Sequence, residues 1–146
     1  MDPIETVDID TDSSFVLALE AQERGYIVFH YQPENLAFTS GLVTARARTL
    51  TLRREKGNHF IFGEPQIINL SETDVVLMRQ DPPFDMGYIT ATHILDHIHP
   101  NTLVVNDPTS VRNAPEKLFA NLFPDLMPPT LITSDVESIK DFKNLS

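Results

Sequence analysis

The chain has 146 residues, 21 acidic against 11 basic, and a net charge of −10. That balance argues against a nucleic-acid partner or an anionic membrane surface, both of which are bound through clustered Lys and Arg. The absence of cysteine excludes disulfides and thiolate metal sites, while 41% hydrophobic and 22% charged residues fit a globular chain long enough to bury a core.

The N-terminal stretch Met1-Asp2-Pro3-Ile4-Glu5 is acidic and lacks the basic and apolar regions of a signal peptide. No apolar run approaches the ~20 residues that span a bilayer, and a cytoplasmic setting is expected. Thr11-Asp12-Ser13-Ser14 opens a helix, with Asp12 or Ser13 as N-cap, over roughly Ser14 to Arg24. Phe15, Ala18, Leu19 and Gln22 share its stripe, and Gly25 is placed to end it. Tyr26 to Tyr31 reads as a strand and Pro33 to Gly41 as a turn. From Leu42 to Leu52, polar residues interleave with Val43, Ala45, Ala47, Leu50 and Leu52, which predicts a strand with one wet face in a hairpin or at an edge. Lys56-Gly57-Asn58 is a turn and Phe60 to Phe62 a short strand.

Val75 to Met78 reads as a buried strand running into Arg79, and Pro82-Pro83 stops it. Asp85 caps a helix from about Met86 to Ile98, and Thr102 to Asn106 is a further strand. Short helices start at Asp107-Pro108 and Pro115-Glu116, Thr130 to Thr133 is a strand, and Ser134 to Glu137 has the form of a capping box before a last helix. This order predicts an α/β fold with a largely parallel sheet and a β-hairpin edge. A doubly wound domain normally begins with a buried strand, and no strand pattern precedes the first helix, so a first strand is expected to be missing and both ends to be cut.

Groups placed where a strand ends and a helix begins sit at the rim where α/β sheets bind ligands. Arg79 and Asp81 are therefore the best local site candidates, against the alternative of a structural brace. His93 and His97, four apart on one helical face, can both reach one zinc ion. They lack the Glu of His-Glu-x-x-His and a third ligand, and a solvated helix face is the favoured reading. Asp8, Asp10 and Asp12 resemble the start of a calcium loop, but Ser13 stands where Gly is needed and Leu19 where Glu is needed. Arg46, Arg48 and Arg53 form a basic stripe that is either an anion or subunit contact or, the commoner case, a solvated strand face. The glycines form no phosphate loop, and no self-contained catalytic apparatus is recognisable.

Val76-Leu77-Met78-Arg79-Gln80-Asp81-Pro82-Pro83-Phe84-Asp85 resembles the Pro-Pro signature in the N-terminal domain of prokaryotic glutathione synthetases. Met1 to Ile4, Asp12 to Phe15 followed by Leu19 to Tyr26, Ala45 to Leu50, Asn106 to Asn113 and Glu116 to Phe119 are similar to further blocks of that family, in the same order. The resemblance implies an ATP-grasp ligase that joins γ-glutamylcysteine to glycine with ATP and Mg²⁺ through an acyl phosphate. It implies a Rossmann-like pre-ATP-grasp substrate domain over residues 1–113 and the start of the ATP-grasp domain over 114–146. It also implies a homo-oligomer, nucleotide-phosphate binding by Lys117, and substrate binding by Arg79 with Asp12, Ser13 and Ser14. It assigns no catalytic residue and no metal ligand to this chain. Since the family's glycine-rich loop and metal ligands are not in the sequence, the 146 residues alone are expected to be inactive. The alternative is a stand-alone, non-catalytic binding module of the same fold.

Overall fold

Helix α1, Ser13–Glu23, starts where Asp12 stays extended and its carboxylate accepts the Phe15 amide at 2.6 Å, satisfying a donor that helix geometry leaves orphaned. Gly25 ends it at φ +86°, a left-handed conformation that glycine takes without a Cβ penalty. The structure, a computed structural model, describes residues 3–145. It divides the chain into two units, the first through Thr109 and the second from Ser110.

In the first unit, strands β1 (Phe29–His30), β2 (Leu36–Thr39), β3 (Leu42–Leu52) and β4 (Phe60–Asn69) form an antiparallel sheet. Strand β3 is its hub and pairs with the other three. Of the two expected placements, the hairpin holds and the edge does not, because the stretch read as a turn before it contains β2. The two strands close through Ser40 and Gly41, both at positive φ, the twist that two-residue hairpins require. The strand expected from Tyr26 to Tyr31 is limited to Phe29–His30, and the short strand at Phe60 continues to Asn69. Gly63 and Pro65 suggest a break there, but they belong to a bulge. Arg48 pairs with Pro65 and Leu50 with Phe62, so Gly63 and Glu64 together face Thr49.

Strand β3 also changes the face it buries. Val43, Ala45 and Ala47 are buried in its first half, and Leu50 and Leu52 in its second. These are opposite sets in a period-two alternation. Leu50 and Leu52 join Ile4, Ile9, Phe15 and Leu19 in one apolar core under α1. Buried His59 ties that core to the N-terminal turn, its Nε2 lying 2.7 Å from the Ile4 carbonyl oxygen.

Strands β5 (Val75–Leu77) and β6 (Leu103–Val105) pair in parallel, Val75 opposite Leu103, with helix α2 (Met86–Asp96) between them in sequence. Asp85 caps α2 by accepting the Tyr88 amide at 3.0 Å. The fold is thus α/β with mixed pairing. In place of a largely parallel sheet, parallel pairing among the described residues is confined to β5 and β6. The reason lies in the connections: β2, β3 and β4 follow one another through short turns, which join only antiparallel neighbours.

Helix α3 (Pro108–Asn113) crosses the division between the units. The second unit continues through α4 (Glu116–Phe119), two 3-10 turns and α5 (Val136–Leu145). Thr130 to Thr133 forms no strand: its β-branched composition suits one, but a strand needs a pairing partner, and none faces it among the described residues. The cap of α5 is Asp135 rather than Ser134. The Asp135 carboxylate accepts both the amide and the hydroxyl of Ser138, at 2.9 and 2.5 Å, which holds its pKa below the usual carboxylate range.

Candidate functional site

The site lies beyond the carboxyl ends of β5 and β6, where Met78 extends the pairing by donating its amide to the Val105 carbonyl. The chain then leaves the sheet through Arg79. The Arg79 guanidinium donates from Nε to the Ser14 hydroxyl at 3.0 Å and from Nη2 to the Ser13 hydroxyl at 2.8 Å. Both serines stand in the first turn of α1, where Asp12 holds the helix start through the Phe15 amide. Residues more than sixty positions apart thus form one cluster, with Ser14 buried and Ser13 and Arg79 exposed.

This arrangement defines what each group can do. The Nε–Nη2 edge of the guanidinium faces the serine oxygens, so its other end is the one presented to a ligand. Each serine oxygen accepts from Arg79 and keeps its own O–H as a donor. The Asp12 carboxylate is committed to the cap. The cluster therefore offers positive charge and hydroxyl donors to a carboxylate, and such charge-assisted contacts are the stronger hydrogen bonds.

Tyr88, one turn into α2, completes the neighbourhood. Burial pushes its phenol up, the Asp81 charge adds to the shift and the Arg79 charge opposes it. Its ring contacts Phe84 at 5.0 Å between centroids. Sequence reasoning missed Tyr88, although its place three residues after the capping Asp85 puts it at the same helix start.

Lys117 lies in the second unit, in the short helix α4. It is exposed on an open cleft of about 610 Å³ whose walls include Met127, Thr130, Leu131, Ile132 and Thr133. An ammonium group beside apolar and hydroxyl side chains fits a contact to an anionic group. Among the described residues that line the cleft there is no carboxylate.

The remaining candidates separate. The His97 ring stacks on Phe38 at 4.2 Å, and His93 Nδ1 lies 3.9 Å from an Asp96 oxygen. Among the described residues no group of three or more His, Asp or Glu could hold a metal ion. Asp8 accepts from the Asp10 amide and the Thr11 hydroxyl, while Asp10 pairs with Lys56 at 2.5 Å, so the acidic loop is engaged within the protein. Arg53 leaves the basic stripe to bind Asn58 and Glu55, whereas Arg46 and Arg48 line a pocket of about 450 Å³.

A sequence profile described as the N-terminal domain of prokaryotic glutathione synthetase matches residues 1–112. Glutathione synthetase of Brucella melitensis biotype 1 is 57% identical over 143 residues, covering 98% of this chain and 46% of the relative. The enzyme of Mesorhizobium japonicum is equally similar, 57% over 143 residues with the same coverage. That of Vibrio vulnificus strain YJ016 is 43% identical over 144 residues, covering 98% of this chain and 45% of the relative. The chain spans about half the length of the curated relatives it matches.

Proposed function

Because this chain belongs to the prokaryotic glutathione synthetase family, we propose that it forms the substrate-facing part of a cytoplasmic ligase that joins γ-glutamylcysteine to glycine. Residues 1–113 are its Rossmann-like substrate domain, and residues 114–146 open the ATP-grasp region. The observation that carries this reading is the contact of Arg79 with Ser13 and Ser14 at the carboxyl rim of β5 and β6. Ligands of open α/β sheets bind at that rim. In this role Arg79 holds a carboxylate of the peptide through the free end of its guanidinium, and the serine hydroxyls donate to the same group. Asp12 keeps both serines in place by fixing the helix start. Tyr88 lies close enough for the Arg79 and Asp81 charges to act on its phenol.

ATP, when bound, supplies the phosphoryl group that activates the peptide carboxylate toward the glycine amine. Lys117 would hold a nucleotide phosphate as a mobile point charge, and its exposure on the cleft of the second unit supports that role.

The test is steady-state kinetics of a complete synthetase carrying this segment, by phosphate release with γ-glutamylcysteine and glycine. Arg79→Ala should raise KM for γ-glutamylcysteine roughly 10- to 100-fold, the loss of one charge-assisted contact, and leave KM for glycine within about twofold. An unchanged KM for the peptide would remove Arg79 from the binding site. No ligation with this pair of substrates by the unsubstituted protein would sink the whole reading.

A further inference from the structure

A second pocket of the first unit, of about 450 Å³, lies away from Arg79 and shares no residue with the rim cluster. Its lining includes Arg46 and Arg48 of β3, Glu5 and Glu34 of the two neighbouring 3-10 turns, and Phe62 of β4. We propose that this pocket binds a small zwitterion, an α-amino acid or short peptide, with its carboxylate on Arg46 and Arg48 and its ammonium group toward Glu5 and Glu34.

In a chain with 21 acidic residues, neither arginine forms a salt bridge or a side-chain hydrogen bond among the described residues. Glu5 and Glu34 are likewise without such partners there. Charges of both signs therefore line one small volume without neutralising each other, which leaves them available to a ligand.

Arg48 is held over an aromatic ring. Its guanidinium carbon lies 5.2 Å from the centre of the Phe62 ring. A cation over an aromatic face is positioned without spending its N–H donors. Phe62 is fixed in turn by ring contacts with Phe60 and His30.

Burial pushes the His30 imidazole down, toward its neutral form. Two cations and two anions then balance. A dianion such as phosphate would meet no net positive charge in a protein of net charge −10, whereas a zwitterion matches both signs at once. The volume falls within the roughly 300–1,000 Å³ typical of small-molecule sites.

The experiment is a titration of the 146-residue chain with glycylglycine, followed by backbone and arginine side-chain NMR, with acetate and methylammonium as single-charge controls. Saturating shifts at Arg46, Arg48 and Gln32, with half-saturation on the order of millimolar, are expected for glycylglycine only. Arg46→Gln and Glu34→Gln, both at exposed positions, should each weaken binding roughly tenfold, one charge-assisted contact apiece. Arg79→Ala should leave it unchanged, which keeps this test separate from that of the rim site. The proposal fails if no shift saturates by about 50 mM, a ΔG too small for a specific contact. It fails equally if acetate matches the dipeptide, or if both Gln variants bind as the parent does.

Discussion

The side-chain amide of Gln22 brackets the backbone of Leu52, donating to its carbonyl oxygen at 2.9 Å and accepting its amide at 2.7 Å. Leu52 is the last residue of β3, paired with Phe60 of β4 but beyond the pairing with β1 on its other side. One glutamine on the inner stripe of α1 thus acts as a substitute strand, and it explains a polar residue among Phe15, Ala18 and Leu19. Gln22→Leu keeps the volume and removes both hydrogen bonds. Buried backbone groups without partners cost about 1–3 kcal/mol, so the urea midpoint should fall by that amount divided by the m-value, with m unchanged. A midpoint equal to that of the parent chain would mean that water replaces the amide without loss.

Gly63 faces Thr49 at close range. A Cβ at that position would lie 2.1 Å from the Thr49 hydroxyl oxygen and 3.5 Å from its Cβ. Gly63→Ala should therefore destabilise the first unit by about 1–3 kcal/mol, the usual cost of overpacking. The clash is with the hydroxyl, so Thr49→Ala should relieve most of it. A double-mutant cycle of Gly63→Ala and Thr49→Ala in chemical denaturation should give a coupling of at least about 1 kcal/mol. Additive effects would place the strain in the bulge backbone instead.

Asp12 is the hinge between stability and binding. Asp12→Ala removes the acceptor of the Phe15 amide, and loss of an N-cap costs about 0.5–2 kcal/mol. Asp12→Asn retains an acceptor and should stay within a few tenths of a kcal/mol of the parent. Frayed first-turn serines would also hold Arg79 less firmly. In the complete synthetase, Asp12→Ala should raise KM for γ-glutamylcysteine less than Arg79→Ala does, with Asp12→Asn near normal. If both Asp12 variants behave alike in kinetics and in thermal melts, the cap is not what positions the serines.

Local chemistry made the helix starts readable: Asp12 and Asp85 cap because a short acceptor precedes an amphipathic run, and the capping is decided within three residues. Arg79 was readable as a rim residue because an apolar run ends there and Pro82-Pro83 prevents continuation. Its partners Ser13 and Ser14 were grouped with it only through the family resemblance, since they lie 66 and 65 positions away and contacts of that separation leave no periodic trace. Strand β3 announced itself by alternation, but not the change of buried face between Ala47 and Leu50, which depends on what packs on each half. Thr130 to Thr133 has strand composition without a partner, and a lone strand gains nothing from composition. Gly63 and Pro65 signal an interruption equally well for a strand end and for a bulge, and only the register with β3 distinguishes the two.

Tyr31 gives the pH dependence. Burial pushes its phenol up to about 12, against about 10 in an unfolded chain. The folded state therefore keeps this proton between pH 10 and 12 while the unfolded state has released it. Stability is unaffected by Tyr31 below pH 10, falls as pH rises through that window, and changes no further above it. A difference of two units corresponds to at most about 3 kcal/mol, enough to be seen in urea midpoints taken at pH 9 and pH 11.5. Tyr31→Phe has no proton to lose, so its midpoint should fall less over the same interval. Absorbance at the phenolate band should also lack its latest-titrating component in that variant. Equal pH slopes for the two proteins would mean that Tyr31 ionises in contact with water, and that the pocket it lines beside Arg46 and Arg48 is open on that side.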